Sequence, residues 1–198
     1  MSGGGLVPRR MPRQRRSRAT IEVILEASTR VLAADGLTGF TTNRVAEVAE
    51  VSIGSLYQYY PNKAALVAAL IARVQAGYVD EIERLVAATA TLPLAAALRE
   101  FAVFAVRQQY DNPRLAAALD AEEDRLPVGP ILRDAEGRIR AAIAALAARY
   151  GHADPAAAAC DLFVVTKALV EADHAIAAPP SDLTDRLHRL FVGYFTPL

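Results

Sequence analysis

The sequence contains a single cysteine, Cys160, and no tryptophan, and its three histidines stand apart at positions 152, 174 and 188. One cysteine excludes an internal disulfide and a zinc site built from several cysteines. The sequence also lacks a Ser/His/Asp spacing, a glycine-rich phosphate loop and a paired metal motif. We therefore predict no catalytic residue, no metal site and no cofactor. Cys160 lies in an alanine-rich apolar segment, which predicts a small buried side chain rather than a reactive thiol.

Long uncharged runs of bulky apolar residues are missing as well. A membrane-spanning helix requires about 20 such residues, and no stretch approaches this length. The first residues are rich in glycine and arginine and have no apolar centre, so they do not resemble a secretory signal. These two absences lead us to expect a cytoplasmic protein without a membrane partner.

Neither sign of charge prevails, since 22 basic residues balance 22 acidic ones. This balance argues against a uniformly basic nucleic-acid coat protein. It hides an asymmetry, because residues 1–63 hold nine basic and five acidic residues (net +4), whereas residues 64–198 hold thirteen and seventeen (net −4). A basic N-terminal part on an acidic remainder suits a protein that meets phosphate only through its N-terminal part.

Apolar residues recur at three- and four-residue spacing, and no stretch alternates with period two for long enough to indicate a strand. The predicted fold class is all-α, with nine helices. The first covers about 18–34, with Ser17 as its cap and Gly36 at its end. Two short helices lie within 41–60, and a helix of about 40 Å follows Asn62 and stops before Pro93. The last five are predicted at about 93–110, 113–126, 130–150, 155–177 and 182–195.

Residues 41–60 are the most informative segment, because they predict two short helices that meet at a sharp angle. Thr41 or Thr42 can cap the first helix, and Ser52 can cap the second after a turn that contains Glu50. Leu56 and Tyr60 lie four residues apart and are predicted to pack inward. Such a helix-turn-helix presents its second helix to the major groove of DNA. Periodicity alone leaves open the alternative that this is an ordinary polar face of a small bundle.

Hydroxyls, amides and cations on the outer side suit contacts with phosphates and base edges, and Gly54 permits close approach of the backbone. Lys63, in the first turn of the next helix, can meet a phosphate. The predicted DNA-binding residues are Thr41, Thr42, Asn43, Arg44, Ser52, Ile53, Gly54, Ser55, Tyr57, Gln58, Tyr59 and Lys63.

The run VAEVAEVSIGSLYQYYPNKAALVAAL, preceded by two threonines, resembles the recognition segment of TetR-family transcriptional regulators. The resemblance covers residues 17–77, and beyond it the likeness is only one of length and helical character. It implies an N-terminal DNA-binding domain joined by a long helix to a ligand-binding and dimerisation domain, and a homodimer that binds DNA. Two departures stand out: Glu50 replaces a usual glycine, so its backbone either avoids positive φ or carries strain, and Tyr60 replaces a usual phenylalanine.

The remaining chain is predicted to form the body of the protein. The last two helices have broad apolar faces, which predict a symmetric homodimer through a four-helix interface. If the body binds a small, largely apolar effector, its aromatic and polar residues are the candidate contacts, although ordinary core packing stays open for each aromatic. These residues are Tyr78, Phe101, Phe104, Arg107, Tyr110, Phe163, Glu171 and His174.

Three divisions of the chain follow. Residues 1–16 are predicted to be a disordered basic arm, part of which resembles a protease-cleavage tag; the arm either enters the minor groove or adds only non-specific attraction. Residues 17–63 form the predicted DNA-binding domain, and residues 64–198 the predicted effector and dimerisation domain. The predicted function is a dimeric repressor that a small effector releases from a palindromic operator. The alternative is an architectural DNA-binding protein without an effector, and an enzyme is the least favoured class.

Overall fold

The computed structural model of the protein describes residues 15–171 and 182–195. Within these residues the chain forms nine α-helices and no strand, so the predicted all-α class is confirmed. The helices are α1 (Arg15–Gly39), α2 (Thr42–Val48), α3 (Ile53–Tyr59), α4 (Lys63–Ala88), α5 (Leu94–Tyr110), α6 (Pro113–Glu123), α7 (Gly129–Arg149), α8 (Pro155–Glu171) and α9 (Leu183–Phe195).

The chain divides into two compact units, each defined by the contacts among its own residues. Unit 1 consists of Met1–Val74 and Arg114–Pro130, and unit 2 consists of Gln75–Pro113 and Ile131–Leu198. The long helix α4 contributes its first part to unit 1 and its second part to unit 2. The division into functional domains at residue 63 stays a prediction, because compactness does not show what each unit binds.

The first helix differs from its predicted bounds at both ends. Ser17 lies inside α1, so it is not the N-cap that we expected. The helix also continues to Gly39, although Gly36 interrupts it with a non-helical φ of 63° and ψ of −173°. The backbone N–H of Phe40 donates to the carbonyl of Gly36 at 3.0 Å. Glycine adopts positive φ without a steric penalty, which explains why the chain bends at this residue.

Unit 1 has an apolar core in which α1 packs on α2 and α2 packs on α3. Its large side chains without solvent exposure are Ile24, Leu32, Phe40, Val45, Leu56, Leu66 and Leu70. Each side chain of this size stabilises the fold by about 1.5–3 kcal/mol when it is fully buried. This core holds the outward face of α3 in place, although α3 has only seven residues.

Unit 2 has its own core, in which α5 packs on α9 and α8. Buried members include Leu98, Phe101, Leu146, Leu187 and Phe191. Polar contacts also join the helices of this unit. The Tyr150 hydroxyl donates to the Leu92 carbonyl at 2.6 Å, and Arg99 forms an ion pair with Asp185. The Arg99 hydrogen bond lowers the pKa of the Asp185 carboxyl below its ordinary value.

The cysteine prediction was wrong, because the side chain of Cys160 is exposed. Its neighbours Ala158, Ala159 and Leu162 occupy the buried side of α8. Successive residues of a helix are about 100° apart, so Cys160 points away from that side. Across residues 15–171 and 182–195, no helix has the length and apolar character that crossing a membrane requires.

Candidate nucleic-acid interface

The start of α2 is set by a side-chain cap. Thr41 has extended backbone angles (φ −126°, ψ 152°), and its hydroxyl accepts a hydrogen bond from the backbone N–H of Arg44 at 3.1 Å. Threonine at this position satisfies a donor that would otherwise lack a partner in the first turn. The cap therefore places Thr42, Asn43 and Arg44 in the first turn of α2.

The turn between α2 and α3 is a Schellman motif with a glutamate where glycine is favoured. The N–H of Val51 donates to the Ala46 carbonyl at 3.0 Å, and the N–H of Glu50 donates to the Glu47 carbonyl at 3.1 Å. This pattern requires a left-handed residue after the cap, and Glu50 has a φ of 55°. Of the two outcomes that we considered for Glu50, positive φ with strain is the one that the structure adopts.

Replacing Glu50 by glycine should therefore stabilise the protein. A left-handed non-glycine residue costs about 1–2 kcal/mol, and the greater freedom of glycine in the unfolded chain offsets about 0.5–1 kcal/mol of the gain. We expect Glu50→Gly to raise the free energy of unfolding by up to about 1 kcal/mol, measured by urea denaturation. Glu50→Ala is the control, because alanine keeps the steric strain. A less stable Glu50→Gly variant would contradict this account of the turn.

Helix α3 is held by one face and leaves the other in solvent. Ser52 caps it, with its hydroxyl accepting from the backbone N–H of Ser55 at 3.1 Å. Leu56 and Tyr60 are 0% and 1% exposed, as the four-residue spacing predicts, whereas Ile53 and Tyr57 are 38% and 40% exposed. A helix of fewer than two turns is marginal alone, so these two buried side chains fix its orientation.

A contact between two hydroxyls connects the exposed sides of α2 and α3. The Thr42 Oγ1 and Tyr57 Oη atoms are 3.1 Å apart, and either group can donate. The bond restrains the phenol ring of Tyr57, which remains 40% exposed. Each hydroxyl keeps further capacity for a phosphate oxygen, since a hydroxyl can both donate and accept.

Tyr60, which replaces a usual phenylalanine, is buried at the end of α3. Burial raises the pKa of its phenol to about 12, with the negative charge of Glu22 adding to the effect and Arg73 opposing it. The ordinary pKa is 10.0, so the unfolded chain releases this proton more readily than the folded chain does. Stability from this group is complete below pH 10 and is lost as the pH rises from 10 to 12.

We accordingly expect Tyr60→Phe to remove part of the alkaline loss of stability. Between pH 8 and pH 11 the wild type should lose up to about 1 kcal/mol more than the variant does. Urea denaturation at both pH values measures this difference. Tyr57→Phe removes an exposed phenol and serves as the control, which should lose as much as the wild type. Equal losses in Tyr60→Phe and wild type would refute the assignment.

Lys63 begins α4 and connects it to the end of α1. Its ammonium donates to the Leu37 carbonyl at 2.9 Å and lies 5.5 Å from the ring centre of Phe40. Asn62 caps the same helix, as predicted, with its side-chain oxygen accepting from the Ala65 N–H at 2.8 Å. An ammonium has three donors, so Lys63 retains capacity for a phosphate beside its structural bond.

The one arginine of α2 is paired with two carboxylates. Arg44 Nη1 is 2.9 Å from Glu47 Oε2, and Arg44 Nε is 3.5 Å from Asp35 Oδ2. The hydrogen bond with Glu47, above all, raises the pKa of the guanidinium. The sequence did not suggest the pairing with Asp35, because Asp35 belongs to α1 and approaches Arg44 only in the folded chain.

The structure places all of the predicted DNA-binding residues on α2, α3 and their flanks. Their contact with DNA stays a prediction. The exposed members are Thr41, Asn43, Arg44, Ser52, Ile53, Gly54, Tyr57, Gln58 and Lys63, and the half-buried members are Thr42, Ser55 and Tyr59.

The candidate effector contacts are distributed over several environments within unit 2. Phe101 is buried in the core, where Phe104 and Tyr110 pack against the same cluster. The Tyr110 hydroxyl donates to the Val170 carbonyl at 3.5 Å. Phe163 instead lies under the Arg140 guanidinium, 4.8 Å from its ring centre.

The aromatic candidate Tyr78 on α4 and the polar candidate Arg107 on α5 lie in one cluster. Tyr78 donates to the Gln108 carbonyl at 3.5 Å, and Arg107 forms ion pairs with Glu81 and Asp111. Glu81 also accepts from the Gln108 side chain at 2.9 Å, and sequence reasoning did not identify it. The side chain of Glu171 and all of His174 lie outside the described residues.

Comparison with known proteins agrees with the resemblance at the N-terminus. Residues 24–70 match the sequence model of the bacterial regulatory proteins of the tetR family. The match includes all of α2 and α3. It confirms the resemblance of this segment to TetR-family regulators, which are transcription factors and not enzymes. No curated protein matches the sequence.

Solved structures share the fold over nearly the whole chain. A TetR transcription regulator from Haloarcula marismortui has a TM-score of 0.72 and 18% identity, covering 89% of this chain and 96% of that chain. A transcriptional regulator from Rhodococcus sp. Rha1 has a TM-score of 0.67 and 23% identity, covering 88% and 95%. The multidrug binding protein EbrR, solved with imidazole, has a TM-score of 0.64 and 21% identity, covering 90% and 95%.

Proposed function

Because residues 24–70 match the sequence model of the tetR family, we propose that the protein is a DNA-binding transcriptional repressor that acts as a homodimer. Each of the two subunits inserts α3 into the major groove of one half of a palindromic operator. A small, largely apolar effector bound by unit 2 releases the protein from DNA.

The solvent-facing side of α3 is the observation that carries this proposal. Buried Leu56 fixes the helix, while Ile53 and Tyr57, on an adjoining side, remain about 40% exposed. Large apolar and aromatic side chains exposed on a well-anchored helix are typical of a binding surface. We propose that residues 52–55 approach base edges, and that the phenols of Tyr57 and Tyr59 with the Lys63 ammonium contact phosphates.

The first turn of α2 supplements these contacts. Thr42 and Asn43 carry a hydroxyl and an amide, and the hydroxyl is already bonded to Tyr57. We propose that these side chains, together with Arg44 and Gln58, set the position of α3 against the sugar-phosphate backbone or an outer base.

The proposed dimer interface is formed by α8 and α9. The side chain of Val164 is 57% exposed on α8, and Phe163, Val165 and Leu169 on the same helix are half-buried. Other apolar residues of this pair, such as Leu187 and Phe191, are already buried within unit 2. The exposed remainder is the surface that a second subunit would cover.

The proposed effector site lies in unit 2, near the aromatic residues of α5. EbrR, a multidrug binding protein, shares the fold at 21% identity, which supports a ligand-binding role for this chain. The 26-residue helix α4, about 39 Å long, is the element through which binding would alter the positions of the two α3 helices.

Selection of bound duplexes from random DNA tests the proposal. The full chain should enrich an inverted repeat whose half-sites lie about one helical turn or a multiple of it apart. Enriched duplexes should then be screened for release by a panel of small apolar compounds. Binding without sequence preference and with strong salt dependence would instead favour the architectural alternative. Absence of any DNA binding would reject the proposal.

A further inference from the structure

The helix-turn-helix segment is poor in available positive charge. From Thr41 to Lys63 it contains two cations, Arg44 and Lys63, and two carboxylates, Glu47 and Glu50. Lys63 already donates one hydrogen bond to the Leu37 carbonyl. Proteins gain affinity for DNA by neutralising phosphates. Arg44, the one arginine of this segment, is already paired with the carboxylates of Asp35 and Glu47.

Arg44 is held from two directions. Glu47, one helical turn further along α2, accepts from Nη1 at 2.9 Å, and Asp35 on α1 lies 3.5 Å from Nε. The guanidinium remains accessible, because the Arg44 side chain is 46% exposed, and those of Asp35 and Glu47 are 36% and 71% exposed.

Exposed ion pairs of this type contribute little to folding, since water and salt screen them. They do reduce the free energy that Arg44 gains from binding a phosphate, because its guanidinium is already paired with carboxylates. Its fork of donors suits bidentate phosphate contacts, which compete with both carboxylates.

We propose that Asp35 and Glu47 restrain Arg44 and thereby limit the affinity of the protein for non-specific DNA. On random sequence, the exchange of carboxylates for a phosphate brings little net gain, so Arg44 contributes weakly. On the operator, the other contacts of α2 and α3 hold the phosphate beside Arg44, and the exchange becomes favourable. Glu47 is thus a specificity-determining residue that acts through Arg44. This inference rests on the proposed function.

The test uses the full chain and two probes: a fluorescein-labelled 30-base-pair duplex of random sequence, and the duplex enriched by selection. Binding is measured by anisotropy over a series of salt concentrations. Glu47→Gln should raise affinity for the random duplex about 3- to 10-fold at 0.1 M salt. It should steepen the salt slope by about 2, because each subunit of the dimer gains one phosphate contact. Affinity for the enriched duplex should change less, so the ratio between the two falls.

Glu50→Gln is the matched control, because it removes a carboxylate from the same segment and reports the loss of general repulsion alone. Repeating Glu47→Gln in an Arg44→Ala background completes the cycle. In the Arg44→Ala background, Glu47→Gln should change the salt slope only as much as Glu50→Gln does. Thermal unfolding should be unchanged by Glu47→Gln, in agreement with an exposed pair.

The outcomes separate the two claims. If the wild type binds DNA but Glu47→Gln has the same effect with and without Arg44, or no larger effect than Glu50→Gln, the restraint is overturned and the proposed function stands. If the wild type binds neither duplex, both are overturned. A steeper slope that requires Arg44, together with a smaller specificity ratio, supports the restraint.

Discussion

Tyr57→Ala is expected to reduce binding of the enriched duplex by about 100-fold or more while the protein remains folded. A hydrogen bond to a charged group contributes about 1.5–3 kcal/mol, and a dimer on a palindrome uses each contact twice. Tyr57 is 40% exposed and bonded to Thr42 by its hydroxyl alone, so its removal leaves the apolar core of unit 1 intact. Anisotropy titration measures the loss.

Two controls divide this effect between hydroxyl and ring. Tyr57→Phe removes only the hydroxyl, and we expect it to account for most of the loss. Thr42→Val removes the partner hydroxyl with little change in shape, and it should weaken binding less, because the phenol remains. Circular dichroism should be the same for all three variants. Unchanged affinity of Tyr57→Ala would remove this residue from the interface.

Leu56→Ala should destabilise the protein by about 2–5 kcal/mol. The side chain is 0% exposed, and truncation of a buried leucine loses apolar contacts and leaves a cavity. Because Leu56 fixes α3, the orientation of the exposed face should be lost with it. Urea denaturation followed by circular dichroism measures the change in the free energy of unfolding.

Ile53→Ala is the matched variant for Leu56→Ala, because both remove an aliphatic side chain from the same seven-residue helix. Ile53 is 38% exposed, so its truncation should cost less than about 0.5 kcal/mol of stability. We expect it to weaken DNA binding nevertheless. The reverse pattern, a stable Leu56→Ala and an unstable Ile53→Ala, would show that the buried and exposed sides of α3 have been exchanged.

The caps and faces of α2 and α3 could be predicted from the sequence because they depend on neighbours within four residues. Ser52 and Asn62 cap helices through bonds to residues three positions ahead, and the burial of Leu56 and Tyr60 follows from helical periodicity. Such local patterns need no knowledge of how distant segments pack.

Contacts between distant residues could not be predicted in this way. The approach of Asp35 to Arg44 depends on the packing of α1 on α2, and the bond from Lys63 to Leu37 spans 26 positions. The exposure of Cys160 was missed for a related reason, since α8 has apolar residues around most of its surface and periodicity does not select a buried side. Glu50 had two possible backbone conformations, and the hydrogen bonds of the turn decide between them.

Cross-linking from α3 tests the central claim most directly. A photoreactive phenylalanine analogue placed at exposed Gln58, and in a second preparation at Val103 of α5, which is 40% exposed, is irradiated with the labelled enriched duplex. The account predicts a covalent protein–DNA product from position 58 and none from position 103. A product from position 103 with none from position 58 would contradict it.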